Sequence, residues 1–206
     1  MVVESVVGSI VSPLAAHAIV NASNPNLGLG SGVSGAIREA CGGAVFQREV
    51  REAWEEEFDA PLEPGDCLVT GSGSATHFRF VLHVAAVNYR SPDEETGGFS
   101  GPARVRACAE AALSEAAQLA NEHRIVDFAL AMPLLGAGHG GLGAVASIRA
   151  IIEAARHHEA ARHHEAKETL SALRIVVRKE SEARLVGQAA ESAGLAYRAF
   201  SPPAQT

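Results

Sequence analysis

Apolar and polar stretches alternate along the 206-residue chain in a way that predicts strands and helices in turn. Short apolar runs bounded by glycine, proline or polar residues are typical of strands, and apolar residues at every third or fourth position are typical of helices. These patterns predict strands at residues 2–7, 18–20, 67–70, 78–85, 129–133 and 173–178. They predict helices at residues 34–40, 44–57, 102–120, 144–170 and 181–193.

The regular order of these elements predicts a three-layer α/β/α sandwich with a mixed, largely parallel central sheet. The most continuous apolar run, at residues 78–85, predicts a strand that is buried on both faces. Residues 1–200 are predicted to form one domain, with a short C-terminal tail at residues 201–206, because a chain of this length fits one hydrophobic core. In sheets of this class, ligands bind at the carboxyl ends of the strands.

Two glycine-rich loops each lie between a predicted strand and a predicted helix. The first loop begins with two asparagines, and its glycines are Gly28, Gly30, Gly32 and Gly35. The second loop follows an apolar strand, and its glycines are Gly136, Gly138, Gly140, Gly141 and Gly143. Glycine lets the backbone approach a ligand closely, and a helix start presents unpaired N–H groups. Each loop is therefore suited to bind a phosphate group. Two such loops predict a diphosphate that is held from both sides.

Net charge, cysteine content and the N-terminal sequence limit the kinds of ligand, metal site and cellular location that are expected. A net charge of −7 argues against bulk binding of nucleic acid or of an anionic membrane, and leaves a small ligand or a few phosphates. The cysteines are odd in number and widely spaced, which argues against a disulfide framework or a thiolate metal site. The apolar N-terminus carries Glu4 and has no basic segment, unlike a signal peptide. These features predict a cytoplasmic location without a membrane span.

A tandem hexapeptide lies in the predicted helix at residues 144–170, with copies at residues 154–159 and 160–165. His157 and His164 would share a helix face, as would His158 and Glu165, so metal binding is geometrically allowed. The zinc spacing motifs are absent, which favours a solvent-facing helix extension that binds no metal. His163 belongs to the second copy of the same repeat.

Three separated blocks of sequence carry a resemblance to a known family. The first block is AIVNASN at residues 18–24, with Leu27 and GSGVSGAI at residues 30–37. The second block is GD at residues 65–66, VTG at residues 69–71 and FVLH at residues 80–83. The third block is PLLGAG at residues 133–138, with Gly141. In this order they resemble the macrodomains, which are ADP-ribose-binding modules, over nearly the whole chain.

The resemblance implies a macrodomain-like fold and a partner that is ADP-ribose or an ADP-ribosylated macromolecule, with neither cofactor nor metal. It implies that Asn24 contacts the distal ribose, as the one candidate catalytic residue, and that Asn21 is structural. The other implied ligand-binding residues are Ser9, Ile10, Gly30, Ser31, Gly32, Val33, Ser34, Leu135, Gly136, Ala137, Gly138, His139 and Gly140.

Three positions depart from the family pattern. Ser9 replaces the aspartate that accepts a hydrogen bond from the adenine amino group, and a neutral hydroxyl is a weaker acceptor. Ser34 replaces the aspartate of the hydrolase subgroup, and a serine is no general base at neutral pH. Gly140 stands where many members place an aromatic residue beside the distal ribose, so that stacking is lost.

The remaining polar residues of the motifs have simpler interpretations. Asn24 could cap its own loop, and Asn21 is favoured even more strongly for such a cap. His83, in an apolar strand, is interpreted as a hydrogen-bonded core histidine. His139 could bond a phosphate or position a water, and a binding or structural role is favoured over catalysis because the sequence identifies no partner carboxylate.

The predicted function is binding of ADP-ribose or a related ADP-ribosyl nucleotide. The protein is expected to be catalytically silent or a slow hydrolase of mono-ADP-ribosyl linkages or of O-acetyl-ADP-ribose. The alternative is an inactive macrodomain scaffold that recognises another phosphorylated ligand, which Ser9 and Ser34 favour. A Rossmann dehydrogenase is disfavoured, because its glycines should follow the strand at once, whereas residues 21–29 intervene before Gly30.

Overall fold

The computed structural model describes residues 1–162 and 170–201, which form seven strands and five helices. The strands are β1 (Val2–Val7), β2 (Ala18–Ala22), β3 (Leu68–Gly71), β4 (Phe80–Val84), β5 (Phe128–Pro133), β6 (Leu170–Val177) and β7 (Tyr197–Ala199). The helices are α1 (Gly32–Cys41), α2 (Ala44–Glu57), α3 (Pro102–Glu122), α4 (Ala144–Arg162) and α5 (Glu180–Ser192).

The seven strands form one sheet in the order β3-β4-β2-β5-β6-β1-β7. All neighbouring strands are parallel except β3 and β4, which are antiparallel. The mixed, largely parallel sheet that the sequence predicts is therefore confirmed. Since β2 and β5 are neighbours, the loops that follow them leave the sheet side by side.

Helices cover both faces of this sheet. One hydrophobic cluster joins the sheet to α3, α4 and α5, for example through Val105, Ile148 and Val186. The other joins it to α1 and α2 through residues such as Ile37 and Phe46. Strand β4 contributes side chains to both clusters, as the continuous apolar run in its sequence predicts.

Two elements differ from the sequence prediction. The helix predicted at residues 144–170 was predicted to end too late, because Leu170 is the first residue of β6 and pairs with Phe128. Its side chain is fully buried in the sheet, so burial in the core decides against the helix at this point. The strand β7, which has only three residues at the edge of the sheet, was not predicted.

Some predictions fall on parts of the chain that the structure does not describe. The second histidine repeat extends beyond Arg162, and residues 202–206 of the predicted tail also lie outside the described residues. In the first repeat, His157 Nδ1 lies 3.1 Å from Glu110 Oε1. Residues 1–162 and 170–201 contain no group of three or more His, Cys, Asp or Glu residues placed to hold a metal ion. None of the helices in these ranges combines the length and apolar character needed to cross a membrane.

A buried ion pair joins the edge of the sheet to the segment before β2. Glu4 on β1 is fully buried and accepts a hydrogen bond of 2.6 Å from Arg174 Nε on β6. Arg174 also donates to the carbonyl oxygen of Ala15, and its guanidinium lies 4.1 Å from the ring centre of Phe200. Arg198 on β7 donates to the second oxygen of Glu4. Removal of the carboxylate would leave the Arg174 charge buried without its anionic partner.

We therefore expect Glu4→Gln to lower the free energy of unfolding by about 3 kcal/mol, because breaking a buried ion pair leaves an uncompensated charge. Urea denaturation monitored by circular dichroism measures this loss. Glu191→Gln, at an exposed position of α5, is the control and should change stability by no more than about 0.5 kcal/mol. A loss below about 1 kcal/mol for Glu4→Gln would show that the pair is not needed for stability.

Candidate functional site

The candidate site is the cleft between the two glycine-rich loops at the carboxyl ends of β2 and β5. The first loop comprises residues 23–31, between β2 and α1, and the second loop comprises residues 134–143, between β5 and α4. The loops approach each other at Gly32 and His139: a Cβ built on Gly32 would lie 4.0 Å from His139 Nδ1. His139 is exposed and therefore lies at the mouth of the cleft.

Asn24 shapes the first loop through hydrogen bonds to its own backbone. Its Nδ2 donates to the carbonyl oxygen of Gly28 at 2.9 Å, and its Oδ1 accepts from the N–H groups of Asn26 and Gly28 at 3.1 and 3.4 Å. An amide oxygen accepts two hydrogen bonds and an amide nitrogen donates two. Asn24 therefore retains one N–H for a ligand, and it is also the loop cap that the sequence allowed.

Gln47 on α2 holds the same loop from outside. Its Oε1 accepts from the N–H of Leu29 at 2.8 Å, and its Nε2 donates to the carbonyl oxygen of Leu27 at 3.0 Å. Leu27, with a φ of 51°, and Leu29 are both buried, which fixes the loop against the core. This role could not be predicted from the sequence, because Gln47 is one of many polar residues on a predicted helix.

A buried polar network ties the start of the first loop to the sheet. Asn21 Nδ2 lies 2.9 Å from His83 Nδ1, and Ser34 Oγ donates to Asn21 Oδ1 at 2.8 Å. The Nε2 of His83 lies 2.9 Å from Thr70 Oγ1, whose hydroxyl donates to the carbonyl oxygen of Gly71 at 3.1 Å. Because an amide nitrogen can only donate, His83 Nδ1 is the acceptor and its Nε2 carries the proton.

This network settles two interpretations of the sequence. The suggestion that Asn21 caps its own backbone is wrong, because its side chain bonds two residues from other elements, Ser34 and His83. The interpretation of His83 as a hydrogen-bonded core residue is confirmed. Burial lowers the pKa of His83 to about 3, so the ring is neutral.

The second loop is closed by contacts that only glycine allows. A Cβ on Gly140 would lie 2.5 Å from the carbonyl oxygen of Gly136 and 2.9 Å from Val87 Cγ1. A side chain at position 140 would therefore require the loop to move. Gly138 has no atom within 4 Å of its Cβ position, so this part of the loop is open.

Helix starts supply unpaired backbone donors on both sides of the cleft. Helix α1 begins at Gly32, and Ser31 before it makes no side-chain cap. Helix α4 begins at Ala144, and its first hydrogen bond runs from Ser147 N to the carbonyl oxygen of Gly143. The first N–H groups of a helix have no partner within the helix and carry partial positive charge. The cleft is therefore suited to an anion.

The other side chains implied by the resemblance divide into exposed and buried groups. Ser9 and Gly138 are exposed, whereas the side chains of Ile10, Ser34 and Leu135 are buried. Ile10 and Leu135 pack in the two hydrophobic clusters. The side chain of Ser34 points to Asn21, which leaves its backbone N–H for the cleft. Of the remaining implied positions, Asn24, Gly30, Ser31, Ala137, Gly138 and His139 lie on the two loops, and Gly32 and Val33 begin α1. Ser9 follows β1, which β6 separates from β5.

Neither a carboxylate nor a thiolate acts in the polar network of the site. Within the described residues, the side-chain hydrogen bonds of Asn24, Ser34 and His83 involve amides, hydroxyls and backbone groups only. Burial raises the pKa of Cys41 to about 11 and that of Cys108 to about 12, so both thiols stay protonated. The arrangement offers donors for binding and no strong base.

Comparison with known proteins identifies relatives in sequence. The family model described as Macro domain matches residues 20–151. An uncharacterized protein of Aeropyrum pernix is 32% identical over 140 residues, which are 68% of this chain and 64% of that protein. An uncharacterized protein of Thermoplasma volcanium is 37% identical over 79 residues, which are 38% of this chain and 41% of that protein. The matches thus cover less than two thirds of either relative.

Solved structures share the fold. The Oceanobacillus iheyensis macrodomain with ADP superposes with a TM-score of 0.72 at 19% identity, over 92% of this chain and 90% of that one. The Trypanosoma brucei macrodomain in complex with ADP-ribose gives a TM-score of 0.65 at 20% identity, over 90% of this chain and 68% of that one. At this level of identity the likeness concerns the fold.

The buried neutral histidine predicts a pH dependence of stability. In the unfolded chain His83 binds a proton near pH 6.5, whereas in the folded protein its pKa is about 3. Its contribution is therefore complete above about pH 6.5 and is lost as the pH falls, by up to about 1.4 kcal/mol per pH unit. Urea denaturation between pH 7 and pH 5, on the wild type and on His83→Gln, measures this effect.

The difference between the two proteins isolates His83 from His17, whose pKa burial also lowers. The wild type should lose stability more steeply than the variant below pH 6.5. Parallel pH profiles would mean that His83 is not buried in the neutral form.

Proposed function

Because the chain belongs to the Macro domain family, we propose that it binds ADP-ribose or a related ADP-ribosyl nucleotide in the cleft between its two glycine-rich loops. The observation that carries this proposal is the pairing of β2 with β5, which sets the starts of α1 and α4 beside one cleft. A diphosphate carries two negative charges and can accept N–H groups from both loops. Backbone donors at helix starts suit such an anion without arginine or lysine.

The order of the strands also fits a ligand with two ends. Ser9 follows β1, the two loops follow β5 and β2, and the segment after β4 lies beyond them. With about 4.8 Å between neighbouring strands, the row from β1 to β4 spans about 19 Å. We place the adenosine end of the ligand at Ser9, the diphosphate between the loops and the distal ribose beside Asn24.

Hydrolysis of an ADP-ribosyl linkage is the finer part of the proposal. Asn24 would donate its remaining N–H to a hydroxyl of the distal ribose and orient the sugar. A water hydrogen-bonded to a phosphate of the ligand would attack the anomeric carbon while the bond from that carbon to the acceptor breaks. The phosphate takes the proton of the water, because Ser34 donates to Asn21 and is no general base. Such a site would be a slow hydrolase of mono-ADP-ribosyl linkages. For O-acetyl-ADP-ribose the water would instead attack the carbonyl carbon of the acetyl ester, and the ribose oxygen would leave.

A second candidate is a macrodomain scaffold without catalysis that recognises another phosphorylated ligand. Two observations favour it: the Ser34 hydroxyl is committed to Asn21 and Ala22, and Ser9 offers adenine a neutral hydroxyl that already accepts from Val11 N. In this second candidate function the cleft still binds an anion, but the distal ribose is not recognised.

We expect isothermal titration to show that ADP-ribose binds about tenfold more tightly than AMP or ADP, because the distal ribose adds one or two hydrogen bonds. The contrary outcome is equal affinity for ADP and ADP-ribose, which would favour the scaffold. A folded protein that binds none of the three nucleotides would exclude the nucleotide site altogether.

The role of Asn24 is separable from its support of the loop. We expect Asn24→Ala to abolish the preference for ADP-ribose over ADP, and to reduce any turnover of ADP-ribosylated substrate more than it reduces binding. Gln47→Met is the matched control, since it removes two hydrogen bonds from the same loop without touching the ligand. This control should weaken the binding of ADP and of ADP-ribose by a similar factor and keep the preference for ADP-ribose. Equal effects of the two variants would show that Asn24 only supports the loop.

A further inference from the structure

Two exposed aromatic side chains lie beside the cleft and have no part in the site described above. Tyr89 is 50% exposed and Phe99 is 37% exposed, and their rings meet edge to face with centres 5.3 Å apart. Both belong to the segment that follows β4. Exposed aromatic rings gain free energy when a ligand covers them, so a pair of them beside a cleft marks a contact surface.

Backbone hydrogen bonds hold this pair against both glycine-rich loops. Phe99 N donates to the carbonyl oxygen of Gly140 at 2.8 Å, and Asn88 N donates to the carbonyl oxygen of Phe99 at 2.8 Å. Val87 N donates to the carbonyl oxygen of Ser23, next to Asn24, at 3.2 Å. The aromatic segment is therefore built into the wall of the cleft.

Strand order places the pair at one end of the cleft. Strand β4 lies beside β2 on the side away from β5, whereas β1, which leads to Ser9, lies on the far side of β5. If the adenosine end of the nucleotide occupies Ser9, the other end of the nucleotide points toward the aromatic pair. In an ADP-ribosylated molecule, that end carries the bond to the modified acceptor.

The charge of the segment that follows β4 indicates which kind of modified molecule would fit beside the aromatic pair. Between Tyr89 and Gly101 there are three acidic residues and one arginine, Arg90. Asp93 is occupied in the turn, where its Oδ1 accepts from Thr96 N at 2.9 Å. Glu94 and Glu95 are exposed at the tip of this turn, which closes between Asp93 and Gly98. Aromatic faces and carboxylates both attract a cation, whereas a nucleic acid would bring phosphates to an acidic edge.

We propose that Tyr89 and Phe99, with Glu94 and Glu95, form an acceptor subsite for an arginine or lysine side chain of a basic peptide that carries the ADP-ribosyl group. This inference rests on the proposed binding of ADP-ribose. It names the class of macromolecule that the cleft recognises, a modified protein segment with basic residues beside the modification.

The test uses two synthetic peptides that carry the same ADP-ribosylated serine, one flanked by lysine and arginine and one flanked by glutamate, with free ADP-ribose as the reference ligand. Titration of the full chain should show about fivefold tighter binding of the basic peptide, with a preference that shrinks at high salt. The double variant E94Q/E95Q and the double variant Y89S/F99S should each reduce that preference.

The matched control is E180Q/E191Q on α5, which changes the net charge by the same amount at two exposed positions. The control variant should keep the preference for the basic peptide. If the control also reduced that preference, the preference would reflect net charge alone, and the subsite would be overturned. If Y89S/F99S does not fold, as judged by thermal denaturation, E94Q/E95Q decides.

Equal binding of the two peptides, in a protein that binds free ADP-ribose, would overturn the acceptor subsite alone. Tighter binding of an ADP-ribosylated oligonucleotide than of the basic peptide would overturn the choice of a protein acceptor. No binding of free ADP-ribose would refute the proposed function itself, because that ligand carries no acceptor to occupy the subsite.

Discussion

The buried amide of Asn21 is the interaction on which the site depends. It reaches from β2 to His83 on β4 and to Ser34 on α1, and each of these groups is buried. An unsatisfied buried polar group costs about 1–3 kcal/mol, so the donors and acceptors must meet in one arrangement. That arrangement fixes where β2 ends and where α1 begins. The first loop has to connect these two points, and Asn24 and Gln47 then set its path between them.

The same network gives a physical reason for the departures from the family pattern. A carboxylate at position 34 would meet the amide oxygen of Asn21 where the Ser34 hydroxyl now donates a hydrogen bond. A neutral donor at this position is therefore consistent with the observed orientation of Asn21. At position 140 the constraint is steric, because Val87 and the backbone of Gly136 leave no room for a side chain. The exposed aromatic pair at this end of the cleft is Tyr89 and Phe99, and Phe99 N donates to the carbonyl oxygen of Gly140.

Local sequence predicted most of the fold because strand periodicity, glycine stops and helix periodicity agree along the chain. The prediction failed at Leu170, an apolar residue after a long helical pattern, because its secondary structure is determined by pairing with a distant residue, Phe128. It also failed at Asn21, since a cap and a buried tertiary bond use the same side chain. The cleft was predictable from its two glycine loops and the asparagine motif. Gln47 and the aromatic pair were not, because their roles depend on backbone atoms far away in sequence.

The chemistry of the site follows from what it lacks in its polar network. Its donors are backbone N–H groups and one amide N–H of Asn24, which in the proposed function would bind an anion and orient a sugar without accepting a proton. Orientation and electrostatic stabilisation can lower a barrier without a protein base, provided that the substrate supplies the base through its own phosphate. The geometry then separates two properties that often go together. Under the proposed function, affinity would be set by the loops and the helix starts, whereas turnover would be set by how well Asn24 holds the ribose for a water that the ligand activates. A protein with the proposed site would bind an ADP-ribosyl group tightly and still remove it slowly.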